Sequence, residues 1–179
     1  DVYKRQSLNN ITEPFDKLSY SQAIEDLRSK DIKIQDGETT RKIEWGDDLN
    51  IDSEKILTRD RINPVFIYGY PLEVKPFYVK EDPDENGIAL TTDLLLPGGF
   101  GEVSSGGMRE DRIDLLKSRI TKEGLDMNSY SWYLDLRKYG SVPHGGFGIG
   151  IERLVRWLAN IEDIKECVLF PRTMARLEP

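Results

Sequence analysis

The segment His144-Gly145-Gly146-Phe147-Gly148-Ile149-Gly150-Ile151-Glu152-Arg153-Leu154 decides the fold. It places four glycines, the only histidine and an acid–base pair within eleven positions. Side chains alternate between the two faces of a strand, so Gly146, Gly148 and Gly150 fall on one face. Glycine weakens a strand. The bare face therefore indicates either a bulge or close helix packing, or a flat or charged group that approaches the backbone closely.

A helix is predicted directly after this strand. Apolar residues recur at helical spacing, at Ile151, Leu154, Val155, Leu158 and Ile161. Arg153 then lies at the junction of strand and helix, where a guanidinium can stack on a ring and contact phosphate. The strict alternation of glycines does not match the G-x-G-x-x-G dinucleotide fingerprint, and no βαβ pattern surrounds it.

The remaining pattern predicts a mostly antiparallel sheet with flanking helices, an α+β fold. The spacing Ser19-x-x-Gln22 is that of a capping box and starts a helix over about 19–30. Further helices are expected over 52–60 and 109–123, the latter with Ile113, Leu116 and Ile120 on its inner face. Strands are expected over 65–68, 77–80, 88–96 and 100–105.

Composition limits the possible functions. The chain has 179 residues, a net charge of −7 and a single cysteine, Cys167. One cysteine and one histidine exclude an internal disulfide framework and a Cys/His zinc site. The acidic balance argues against a dedicated nucleic-acid-binding module. No apolar run reaches membrane-spanning length, so we expect no membrane. A single cysteine within an apolar run fits a reducing cytoplasm. Because residues 1–6 begin without Met, we also expect upstream residues to be missing.

Several motifs resemble those of one enzyme family. The segment 148–153, Gly-Ile-Gly-Ile-Glu-Arg, resembles motif 3 of the class II aminoacyl-tRNA synthetases. Segments 70–78 and 102–109 are similar to the Y-P-x-x-x-K-P-F-Y and E-I-x-S-G-x-Q-R segments of the aspartyl/asparaginyl subgroup. Segments 133–144 and 170–173 continue the resemblance. It covers nearly the whole chain from about Pro14 onward.

The resemblance implies a class II synthetase-like antiparallel sheet, with the glycines as the floor of an adenine pocket. Arg153 would stack on adenine and reach the γ-phosphate of ATP, and Asp93 and Glu102 would hold Mg²⁺. Without the family, two solvated strand acids would be the preferred interpretation, because isolated acid pairs are common. With the family, metal binding is favoured. The implied ATP-contacting set is Gly148, Gly150, Glu152, Arg153, Glu102 and Ser105. The implied amino-acid-contacting set is Arg109, Lys75, Ser105 and Gly146, and the catalytic set is Arg153, Glu102 and Arg109.

The resemblance also implies that residues 1–179 form the C-terminal part of a catalytic domain, with motif 3 at 144–155. Motifs 1 and 2 and the anticodon-binding domain are not found in the sequence. We therefore expect these residues to be inactive alone, and the full-length protein to be a homodimer that binds the tRNA acceptor end. For His144, a structural hydrogen bond is at least as good an explanation as a substrate contact.

The amino acid remains open between asparagine and aspartate. Thr173 and the segments 95–98 and 132–137 resemble asparaginyl enzymes, whereas Ser105-Gly106 and 144–146 resemble aspartyl ones. Asparagine activation is the expected function. An aspartyl enzyme and a tRNA-independent asparagine synthetase of the same fold are the alternatives. A non-catalytic relative ranks low, because the charged site residues are all present.

Overall fold

The computed structural model describes residues 8–36 and 39–175. Its central sheet has five strands, and two further strands pair as a separate hairpin. The strands are β1 (Asp16–Ser19), β2 (Lys33–Asp36), β3 (Thr39–Lys42), β4 (Val65–Tyr68), β5 (Thr91–Leu96), β6 (Gly101–Met108) and β7 (Gly145–Ile149). The hairpin consists of β2 and β3.

The central sheet has the order β1-β4-β5-β6-β7. Every neighbouring pair is antiparallel except β1 and β4, which run parallel. A parallel pair requires a crossover connection, and the chain between β1 and β4 supplies one with two helices. The prediction of a mostly antiparallel sheet flanked by helices is confirmed, and the sheet is mixed at one edge.

Within residues 8–36 and 39–175, five α-helices of eight residues or more flank the sheet. They are α1 (Tyr20–Ser29), α2 (Ile51–Thr58), α3 (Ile113–Lys122), α4 (Ser131–Lys138) and α5 (Ile151–Ala159). Short 3₁₀ turns lie at Leu72–Val74 and Ile164–Cys167. The helices predicted near 19–30, 52–60 and 109–123 are confirmed with shorter bounds. None of the helices in residues 8–36 and 39–175 is long and apolar enough to cross a membrane.

The first helix begins at the predicted capping box. The Ser19 hydroxyl accepts a hydrogen bond from the Gln22 backbone N–H at 3.2 Å, and the Gln22 side chain accepts one from the Ser19 N–H at 2.9 Å. Both N–H groups would otherwise lack a partner at the helix start. Ala23, Ile24 and Leu27 are buried on the inner face of α1, as the helical spacing predicts.

Two hydrophobic clusters hold these elements together. The first joins α1 and α2 to the sheet through residues such as Leu27, Ile67 and Leu95. The second joins α3 and α4 through Leu116, Ile120 and Leu134, with Phe77 against them. By contrast, Ile151 and Leu158 on α5 are exposed. The apolar residues predicted at helical spacing on α5 are thus only partly covered by the described residues, with Leu154 half-buried.

The segment 77–80 is not the predicted strand. Val79 makes a single antiparallel bridge to Arg109, and the rest of the segment is irregular. Its backbone still bonds to its neighbours, since the Lys80 N–H donates to the Met108 carbonyl and the Tyr78 carbonyl accepts from the Glu110 N–H. The Val79 carbonyl instead accepts from the Arg119 guanidinium on α3 at 2.9 Å. Likewise, the strand predicted over 88–96 begins only at Thr91.

Ser19→Ala is predicted to lower the free energy of unfolding by about 1 kcal/mol, because the Gln22 N–H loses its acceptor at the start of α1. Urea denaturation of the full-length protein checks this value. Ser118→Ala, on an exposed position of α3, is the matched control and should leave stability unchanged or slightly higher. Equal effects of the two substitutions would contradict a capping role for Ser19.

Candidate active site

A cavity of about 420 Å³ opens on the glycine face of the sheet, between β5, β6, β7 and the segment 70–79. Its lining includes six residues that the sequence assigned to the site: Lys75, Asp93, Glu102, Ser105, Arg109 and Gly148. Gly146, Gly150 and Arg153 stand beside it, whereas Glu152 is exposed at the start of α5 and outside the lining. The structure therefore brings nearly all of the predicted residues together.

Strand register explains this convergence. Ser105 on β6 is the pairing partner of Asp93 on β5 and of Gly148 on β7, so the three residues stand in one row across the sheet. Between Leu94 and Leu95 the register shifts, and Val103 is the extra residue of a β-bulge. Because faces alternate with period two, this one-residue bulge returns Glu102 to the face that carries Ser105.

Asp93 is only 4% exposed and is fully partnered. Its carboxylate accepts hydrogen bonds from Lys75 Nζ at 2.9 Å and from the Ser105 hydroxyl. Lys75 Nζ also lies 3.6 Å from the centroid of the Tyr70 ring. Burial, together with the neighbouring Asp93 carboxylate, raises the pKa of Tyr70. Since a buried charge must be paired, the interpretation of Asp93 as a solvated strand acid is wrong.

Glu102 and Arg153 form the second charged pair of the site. Arg153 Nη1 donates to the backbone carbonyl of Glu102 at 2.8 Å and to its Oε1 at 3.2 Å. Burial, followed by the charge of Asp93, raises the pKa of the Glu102 carboxyl group above its ordinary value. The Arg153 side chain packs on Gly150, where an added Cβ would lie 3.2 Å from Arg153 Cδ.

Arg109 points its guanidinium over the Tyr78 ring, 4.7 Å from the ring centroid. It lies against bare backbone, because a Cβ at Gly146 would come within 3.0 Å of Arg109 Nη2. The Arg109 backbone N–H donates to the carbonyl of His144. The His144 ring makes a local hydrogen bond of 2.8 Å with the carbonyl of Val142, which agrees with a structural role for this histidine.

The alternation in β7 separates two environments. Gly148 faces the charged cavity, and a Cβ added there would meet nothing within 4 Å. Phe147 and Ile149 point the other way, into a larger cavity of about 930 Å³ with a mainly apolar lining. The larger cavity contains none of the charged residues of the candidate site. The chemistry therefore belongs to the smaller one.

The side chains suit Mg²⁺ in type, because this ion prefers one or two carboxylates together with phosphate and water. Glu102 and Ser105 offer oxygens at the cavity wall, while both oxygens of Asp93 already accept hydrogen bonds. Residues 8–36 and 39–175 hold no group of three or more His, Cys, Asp or Glu arranged around a metal. The site would therefore suit a Mg²⁺ ion whose remaining ligands come from a bound phosphate and water, with Glu102 as the accessible carboxylate.

Two acids that the sequence did not indicate also line the cavity, Asp48 and Glu54. Glu54 lies in the first turn of α2, and its Oε2 accepts a hydrogen bond from the Glu102 backbone N–H at 2.9 Å. Burial raises the pKa of Glu54 to about 7. An acid in the first turn of a helix is ordinary, because it complements the helix dipole, so nothing in the local sequence marks Glu54 as part of a site.

The family is established by comparison with known proteins. The profile of the tRNA synthetases class II (D, K and N) matches residues 1–174. The chain therefore belongs to this family. It is 50% identical to the asparagine–tRNA ligase of Pyrococcus abyssi over 173 residues, which are 97% of this chain and 38% of that protein. The chain thus spans well under half the length of this relative.

Solved structures agree with the assignment. The asparaginyl-tRNA synthetase of Pyrococcus horikoshii matches with a TM-score of 0.88 and 48% identity, over 97% of this chain and 39% of that one. The same enzyme complexed with asparaginyl-adenylate gives an equal TM-score of 0.88. The aspartyl enzyme of Entamoeba histolytica matches with a TM-score of 0.80 and 30% identity, over 94% of this chain and 34% of that one.

Gly148→Ala is predicted to leave the free energy of unfolding unchanged or slightly higher, because the added Cβ meets open space. The same Cβ projects into the cavity, so the KM for ATP should rise by about tenfold in the full-length protein. Gly106→Ala is the contrasting control. Its Cβ would lie 2.6 Å from Phe147 Cβ, so stability should fall by about 2 kcal/mol. An unchanged KM for ATP in Gly148→Ala would argue against ligand contact at the glycine floor.

The pKa of Glu54 predicts a pH-dependent stability. Because the folded pKa is raised from 4.5 to about 7, the folded state holds more protons than the unfolded state between these values. Stability should therefore fall as pH rises through this window and level off above it. Glu54→Gln removes the effect, and its stability relative to the parent should grow by about 2 kcal/mol between pH 5 and pH 8. Urea denaturation at both pH values measures this, and parallel pH profiles would contradict it.

Proposed function

We propose that the protein containing this chain activates asparagine with ATP and transfers it to the acceptor end of tRNA. The observation that carries the proposal is the gathering of Arg109, Glu102 and Arg153 around one glycine-floored cavity, in a chain 50% identical to an asparagine–tRNA ligase. Residues 1–179 would then form the C-terminal part of the catalytic domain, with motifs 1 and 2 elsewhere in the protein.

The proposed chemistry joins two anions. The carboxylate of asparagine attacks the α-phosphorus of ATP, the bond to the bridging oxygen breaks, and pyrophosphate leaves. Cationic groups placed beforehand stabilise the negative charge that accumulates. Arg153 stands at the edge of the glycine floor, where it can stack on adenine and reach phosphate. Mg²⁺, when bound, neutralises phosphate charge, and Glu102 with Ser105 would hold it, with Asp93 behind them.

The charge of the cavity favours asparagine over aspartate. Its lining carries four acids, Asp48, Glu54, Asp93 and Glu102, and two cations, Lys75 and Arg109. The Asp93 carboxylate already neutralises Lys75, which leaves Arg109 as the cation that can face a substrate side chain. A second carboxylate on the substrate would meet an acidic wall, whereas a neutral amide can give its oxygen to Arg109.

Aspartate activation and tRNA-independent asparagine synthesis are the alternatives. The aspartyl-like residues Ser105-Gly106 and the segment 144–146 support the first. Sequence identity supports asparagine as the substrate. The chain is 48% identical to the asparaginyl enzyme of Pyrococcus horikoshii and 30% identical to the aspartyl enzyme of Entamoeba histolytica. We further propose a homodimeric full-length protein in the cytoplasm, in keeping with the family resemblance and with a single, unpaired cysteine.

ATP–pyrophosphate exchange on the full-length protein tests the proposal, with asparagine and aspartate offered separately. Asparagine-dependent exchange, followed by charging of tRNA, is the expected result. Aspartate-dependent exchange would overturn it. Added ammonia would then distinguish an aspartyl enzyme from an asparagine synthetase by the appearance of free asparagine.

Arg109→Lys is predicted to lower kcat/KM for asparagine by about 100-fold, because lysine keeps the charge but loses the planar fork and its stacking on Tyr78. Arg28→Lys is the matched control. Arg28 is exposed on α1 and lies outside the cavity lining, so its conservative replacement should change kcat/KM by less than about twofold. Steady-state pyrophosphate exchange gives both values. Similar losses in the two variants would remove Arg109 from the substrate pocket.

A further inference from the structure

We propose that Glu54 is a positioning residue that sets the backbone of Glu102 and, through it, the guanidinium of Arg153. The inference rests on the proposed function for its kinetic consequences. It assigns to an acid of the cavity lining a role that acts through the backbone of Glu102. Glu54 comes from α2, a helix that otherwise packs into the hydrophobic core through Leu57.

The first support is the contact itself. Glu54 Oε2 accepts the hydrogen bond of the Glu102 backbone N–H at 2.9 Å. The preceding residue, Gly101, has φ +74, and a Cβ there would lie 2.8 Å from the same Oε2. Gly101 therefore provides both the left-handed turn and the space that the carboxyl group occupies. The two residues are fitted to one another at the start of β6.

The second support comes from the hydrogen bonds that α5 donates to the same stretch of backbone. Its carbonyl accepts from Arg153 Nη1 at 2.8 Å, and two residues earlier the Phe100 carbonyl accepts from Arg156 Nη2 at 2.7 Å. Side chains from α2 and α5 thus both bind the backbone of residues 100–102. Any movement of the Glu102 N–H would move the carbonyl on which Arg153 rests.

The third support is the choice of residue. A carboxyl group is costly to bury, and an apolar side chain would pack more cheaply beside the core. However, an apolar residue would leave the Glu102 N–H without a partner in the bulged strand. What the position requires is an oxygen at the right distance, so Gln should serve and Asp, which is one methylene shorter, should not.

Three variants of the full-length protein separate the oxygen from the charge: Glu54→Gln, Glu54→Asp and Glu54→Leu. Asp52→Asn, on an exposed position of the same helix turn, is the control. Asparagine-dependent pyrophosphate exchange measures kcat and KM. Electron paramagnetic resonance titration of Mn²⁺ with ATP measures metal binding without turnover. Thermal unfolding without ligand reports on stability alone.

Glu54→Gln and Asp52→Asn should stay within about threefold of the parent in exchange and in Mn²⁺ affinity. Glu54→Asp and Glu54→Leu should lose about 30-fold in kcat/KM, mainly through kcat, and about tenfold in Mn²⁺ affinity. If Glu54→Leu fails to fold, Glu54→Asp carries the comparison. A Glu54→Asp variant equal to the parent, or losses confined to thermal stability, would overturn the proposal. Absence of asparagine-dependent exchange in the parent would instead overturn the proposed function, and the Mn²⁺ titration would still test the positioning role.

Discussion

The buried carboxylate of Asp93 is the constraint around which the site is organised. A charge at this depth needs a cation and hydrogen-bond donors, and it obtains them from Lys75 and Ser105. These partners come from a loop before β5 and from the neighbouring strand, so satisfying one charge fixes the relative position of two segments. Lys75 in turn covers Tyr70, which belongs to the main hydrophobic cluster. The polar site and the core are therefore one connected structure.

The pair of Glu102 and Arg153 depends on the buried charge of Asp93. Glu102 lies near Asp93, and the repulsion between them contributes to the raised pKa of Glu102. Arg153 offsets that repulsion from the far side, through a contact that also joins α5 to the sheet. A helix that follows a glycine strand thereby places a cation at the edge of a bare floor. The arrangement is suited to an anionic ligand with a flat ring.

Sequence patterns predicted the parts of the molecule in which local chemistry and burial agree. The capping box at Ser19 and the buried face of α1 belong to this group. That Lys75, Asp93 and Arg109 line one cavity was expected from the family resemblance rather than from local patterns. The strand expected at 77–80 failed because its aromatic composition reflects packing on α3 and α4 rather than pairing. Strands β1, β2 and β3 were not predicted, because polar residues such as Lys17, Gln35 and Thr40 obscure the alternation of apolar residues in them. Glu54 could not be predicted, since its partner, the Glu102 N–H, lies 48 residues further along the chain.

The turn between β5 and β6 is hydrogen-bonded to two helices. Gly98 donates its N–H to the carbonyl of Thr58 at 2.9 Å, while Arg156 binds the carbonyl of Phe100. A hairpin tip is commonly a place where a chain tolerates insertions. Here two helices that are distant in sequence, α2 and α5, each bind the backbone of the tip. An inserted residue would displace at least one of these contacts, so this tip tolerates a change of length less readily than a free hairpin turn does.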